Sequence, residues 1–159
     1  MTNLLQKMDE EQGWLKAGFL GFAGSGKTYT ATLLACLLKK HFNIDKPMAM
    51  FDTEGGAVYV KKMVRTLTGQ DIVGLRSRCF QDLLNVTKEI DKSGIQILLV
   101  DSVTHIWREL CDAWLKKINE QRRDRNQSPR SRLEFQDWGG LKKNGENGRT
   151  GISIPNAMS

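Results

Sequence analysis

Apolar runs and amphipathic stretches take turns along this chain. WLKAGFLGF (14–22), PMAMFD (47–52) and IQILLVD (95–101) are short and almost continuously apolar, the pattern of strands buried on both faces. DIVGLRS (71–77) is a weaker run of the same kind. Between them, TYTATLLACLLKKHF (28–42), GAVYVKKMVRTL (56–67) and FQDLLNVTKEIDKSG (80–94) carry apolar residues at helical spacing. His41 and the lysines before it sit where cations favour a helix C-terminus. A fourth helix follows, with Val103, Ile106, Trp107, Leu110, Trp114 and Ile118 on one stripe. It ends by Ser128-Pro129, where a polar linker begins. Alternating strands and helices predict an α/β fold, a mostly parallel sheet flanked by helices in three layers. No internal repeat is present.

At 159 residues the chain suits one domain with a real core. No segment approaches membrane-spanning length, which argues against a membrane partner. The start, MTNLLQKMDEEQGW, lacks the charged-then-apolar layout of a secretory signal, so a cytoplasmic location is expected. Cys36, Cys79 and Cys111 form no Cys-x-x-Cys pair and read as reduced, mostly buried thiols rather than zinc ligands or disulfides. The net charge of +6 is local. Segment 116–132 holds seven basic residues against Glu120 and Asp124, a net +5, which leaves about +1 for the rest.

The first candidate chemistry lies between the first apolar run and the first helix. Gly21-Phe22-Ala23-Gly24-Ser25-Gly26-Lys27-Thr28 matches G-x-x-x-x-G-K-[ST] in full. Glycines let the backbone curl until successive N–H groups point at phosphate oxygens, and the positive end of the following helix adds to that field. Lys27 reaches the β- and γ-phosphates, and the Thr28 hydroxyl ligates Mg²⁺. Tyr29, next on the helix, completes the nucleotide-binding set.

Two acidic strand ends follow. ILLVD (97–101) has the Walker B arrangement, in which Asp101 holds Mg²⁺ through water opposite Thr28. Ser102 assists nearby, while His105 on the following helix reads as structural. MFDTEGG (50–56) ends an apolar strand in two carboxylates, and alternation sends Asp52 and Glu54 to the same side if the chain stays extended. The C-terminal edge of an open α/β sheet is where its crevice lies. Glu54 is therefore the candidate base that orients and deprotonates water, against the alternative of a solvated turn acid.

GFAGSGKT, FDTEGGAVYV and LLVDSVTHIW occur in the order and spacing of the RecA-like P-loop ATPases. The chain resembles in particular a phage group of small RecA-like ATPases, the phage nucleotide-binding proteins, over about residues 14–143, with DTEGG, VDS-x-T-x-x-W and EFQDWGGLKK as its particular marks. The resemblance implies ATP as nucleotide and Mg²⁺ as cofactor, with Lys27 and Glu54 as catalytic residues, since a Glu just after the second strand is the base in that family. It also implies a homo-oligomer with ATP between subunits, and a role on single-stranded DNA in recombination. Arg122, Arg123, Arg125, Arg130 and Arg132 are candidate DNA contacts, with Trp138 or Phe135 to stack on a base. A solvated helix end, or an Arg finger reaching a neighbouring subunit in trans, reads equally from the same residues. A small kinase, or a nucleotide-binding module without turnover, are the competing functions.

Four stretches result: a lead-in (1–13), the NTPase core (14–127), a basic and aromatic linker (128–143) and an irregular tail (144–159). The tail, NGENGRTGISIPNAMS, departs from the family, where another helix and strand belong. In the RecA-like order that strand lies between the strands at 95–101 and 14–22. A shifted reading frame through 143–159 permits a tryptophan-rich helical peptide, so the tail reads as frameshifted and the sheet as incomplete at the C-terminus. The strand at 14–22 is then expected either to pair directly with that at 95–101, or to leave open edges that promote aggregation.

Overall fold

A computed structural model describes residues 14–137 and Gly139; the lead-in at 1–13, Trp138, the end of the linker and the tail lie outside the described residues. Seven regular elements alternate: α1 (Lys27–His41), β1 (Ala49–Asp52), α2 (Ala57–Thr68), β2 (Val73–Arg76), α3 (Phe80–Ser93), β3 (Leu98–Asp101) and α4 (Val103–Asp124), with a 3-10 turn at Phe135–Asp137. The helices fall close to their predicted bounds, and the weak run at 71–77 does form a strand.

The strands make one open parallel sheet in the order β2-β1-β3. Asp52 lies level with Arg76 on one side and Asp101 on the other, so the strands end together along one edge. Because β1 is central, β1–α2–β2 steps one way and β2–α3–β3 crosses back. Right-handed crossovers then place α2 and α3 on opposite faces. α1 packs on α2 and α3 meets α4, so helices flank the sheet.

β1 is buried at every position, with strands at both edges and helices over both faces. Phe51 is fully buried. Beside it Ala35, Cys36, Met48 and Val64 form the core, joined by Leu67, Ile72, Ile97 and Leu99. Burial pushes the Cys36 thiol up, against a smaller opposing effect of the Lys39 charge, which suits an inert core residue. Lys39 is one of the basic residues in the last turn of α1. It is itself buried, and its ammonium donates to the carbonyls of Ile44 and Lys46.

The run at 14–22 forms no strand, which corrects the expectation for it. Trp14, Leu20 and Phe22 are exposed, Leu20 fully so. A cavity of about 900 Å³ is lined by this segment together with Ile97 and Leu99 and with Leu34 and Leu38 of α1. A strand exists only where its N–H and C=O groups find ladder partners. β3 takes its partners from β1, and among the described residues nothing pairs with its other edge. Of the two outcomes expected for 14–22, direct pairing with the strand at 95–101 is not made.

Candidate nucleotide site

The phosphate loop is curled by its own residues. Gly24 and Gly26 have φ of 77° and 80°, conformations that L side chains rarely adopt. Ser25 N–H donates to the Phe22 carbonyl at 3.2 Å, and Thr30 N–H to Gly26 at 2.8 Å as α1 begins. Gly26 caps α1 in the left-handed region with no side chain over the helix N-terminus. The free amides of that first turn are the anion-binding feature of the motif. Lys27 Nζ donates to the Phe22 carbonyl at 2.8 Å, inside the loop it belongs to. Residues 21–26 are exposed, as is Tyr29.

Tertiary structure closes the site from the far side of the sheet. Thr28 Oγ1 donates to Asp101 Oδ2 at 2.8 Å, so residues 73 positions apart meet at the start of α1 and the end of β3. Gly56 lies against both. A Cβ there would sit 2.6 Å from Asp101 Oδ2 and 3.3 Å from Thr28 Cγ2. The sequence reading missed Gly56; the paired glycines of DTEGG were the available signal. A hydroxyl and a carboxylate are hard oxygen donors that suit Mg²⁺. Among the described residues no group of three or more His, Cys, Asp or Glu forms a cage. An ion held here takes the rest of its shell from phosphate and water, as Mg²⁺ commonly does. The residues present therefore fit the ion.

The two carboxylates of DTEGG separate. Asp52 turns into its own loop, where Oδ1 accepts the amides of Glu54, Gly55 and Gly56 at 2.7–3.1 Å and Oδ2 accepts Ala57 N–H at 3.0 Å. Burial raises its pKa, but the four amides outweigh it and hold the carboxyl below the usual range. Asp52 thus does for α2 what an N-cap would do, and the chain does not stay extended through Glu54. Thr53, also buried, ties this loop to β3: its N–H donates to the Asp101 carbonyl at 2.6 Å, and its Oγ1 accepts Ser102 N–H at 2.8 Å. Glu54 turns instead toward the start of α4. Its Oε1 accepts the Ser102 hydroxyl at 2.7 Å and lies 3.4 Å from His105 Nε2.

The basic segment lies elsewhere. α4 is 22 residues long, which carries Arg122 and Arg123 at its end roughly 30 Å from Ser102 at 1.5 Å per residue. Arg130 is enclosed, with Nη1 at 3.0 Å from Asp137, Nη2 at 3.2 Å from Glu134 and its backbone clamped by Asn119. Arg122 Nε donates to the Ser128 carbonyl at 2.8 Å. Arg123, Arg125 and Arg132 are exposed and make no side-chain hydrogen bond or ion pair among the described residues. Phe135 is exposed nearby. No described helix is long and apolar enough to cross a membrane.

A family profile described as an AAA domain matches residues 15–144, most of the chain. Searches of curated proteins and of solved structures return no match.

Proposed function

The chain belongs to the AAA-domain family of P-loop ATPases, and from that premise we propose that it binds ATP with Mg²⁺ at residues 21–28 and hydrolyses it. The observation that carries this is the meeting of Thr28 and Asp101 at 2.8 Å beside a glycine that leaves no room for a side chain. Loop amides and Lys27 hold the β- and γ-phosphates, with Phe22, Ala23 and Ser25 contributing backbone and Tyr29 flanking the entrance. Thr28 and Asp101 would hold the ion, Asp101 through water, and when bound it would supply positive charge beside the phosphates. Glu54 orients a water for in-line attack on the γ-phosphorus and accepts its proton. The bond from that phosphorus to the bridging oxygen breaks, and its electron pair leaves on ADP. Equilibrium binding of a fluorescent ATP analogue tests the first half: Mg-dependent affinity in the wild type, lost in Lys27→Ala. Single-turnover hydrolysis tests the second, with Glu54→Gln expected to bind normally and turn over at least about a hundredfold more slowly. Normal binding with undiminished turnover in that variant removes Glu54 as the base.

We further propose that turnover is coupled to single-stranded DNA in a RecA-like, phage recombination setting. Arg123, Arg125 and Arg132, exposed and without an ion pair among the described residues, support this alongside the motif resemblance. Arg122 and Arg130, already bonded within the chain, are expected to contribute less. Hydrolysis stimulated by single-stranded DNA, with binding that weakens steeply as salt rises, is the expected result. Replacing the three exposed arginines by Gln is expected to flatten that salt slope; an unchanged slope assigns them to a solvated surface instead.

A further inference from the structure

Glu54 carries two neighbours that the nucleotide chemistry does not itself require. Ser102, the residue after the metal-binding Asp101, gives its hydroxyl to Oε1 at 2.7 Å. His105, one turn into α4, brings Nε2 to 3.4 Å of the same oxygen. Oε2 has no partner among the described residues. The arrangement is set by tertiary packing, because the Thr53 bond to Ser102 N–H holds the Glu54 loop against the start of α4. Half of the Glu54 side chain is exposed, whereas His105 is three-quarters covered.

We infer that Ser102 and His105 are positioning residues for Glu54. This rests on Glu54 serving as the base for hydrolysis. The Ser102 hydroxyl on Oε1, with the His105 ring beside it, fixes the plane of the carboxylate and leaves Oε2 to take the proton from water. Among the described residues Glu54 is the one carboxylate close to the imidazole.

Steady-state hydrolysis of MgATP by the full chain tests this. Ser102→Ala is expected to lower kcat about tenfold with KM within about twofold, Ser102→Thr, which keeps the hydroxyl, to restore most of that loss, and His105→Ala to lower kcat less with KM again unchanged. Wild-type kcat in both alanine variants, or a rise in KM in place of the fall in kcat, overturns the inference. Glu54→Gln separates the two ideas. If it abolishes turnover while Ser102→Ala and His105→Ala track wild type, only this inference fails; if it turns over normally, the base assignment fails and takes this inference with it.

Discussion

β1 and the segment at 14–22 are similarly apolar and feed the two halves of one site, the Glu54 loop and the phosphate loop. They differ in their neighbours. β1 pairs with β2 on one edge and β3 on the other and is buried throughout. Residues 14–22 pair with nothing among the described residues and lie in contact with solvent. The phosphate loop consequently owes its shape to its own glycines and to α1, whereas the Glu54 loop is held by β1, β3 and α4 together. Apolar composition makes a segment able to be buried; only partners on both edges make it a central strand.

The sharpest way to break that comparison is to cut matched side chains from each region. Phe51→Ala is expected to cost about 3–5 kcal/mol in chemical denaturation, since the ring is fully buried. Asp52→Ala comes next, at about 2 kcal/mol, because four loop amides lose their acceptor. The pH dependence has a definite sign. A carboxyl whose pKa is depressed on folding adds stability above its unfolded value, near 4, and loses it as pH falls through the lower folded value. Urea midpoints between pH 6 and pH 3 are therefore expected to fall more in wild type than in Asp52→Asn. Gly56→Ala is expected to leave the fold intact and weaken Mg-dependent nucleotide affinity about tenfold, as the new methyl meets Asp101 and Thr28. Smallest of all, Leu20→Ser is expected to change stability by less than about 0.5 kcal/mol, since its side chain is fully exposed. A large loss there, or exchange-protected amides through 14–22 matching those of β1, ends the contrast between the regions.

Much of the site was legible before any folding. The spacing of Gly21, Gly26, Lys27 and Thr28 announces a phosphate loop, because the chemistry of curling amides around an anion is local. Asp101 was legible for a related reason, as an acid closing an apolar run. Glu54 was legible as the candidate base, but on the assumption that it shares a side with Asp52. That Asp52 is consumed by its own loop while Glu54 reaches Ser102 depends on the turn between them, and alternation along an extended strand does not foresee it. The glycine pair of DTEGG flagged Gly56 without saying what it meets, and nothing local marked the place of His105, since each matters through a residue 45 to 51 positions away.

The amino-acid order by itself determined the alternation of elements, the helix spans and the phosphate-binding turn, all of which arise from contacts within about a dozen residues. Tertiary structure alone decided which apolar run became a central strand, which acid faced the cleft and which side chains gathered on it. Those outcomes depend on how separate parts of the backbone approach one another, and hydrogen bonds across a sheet leave no trace in either strand taken singly.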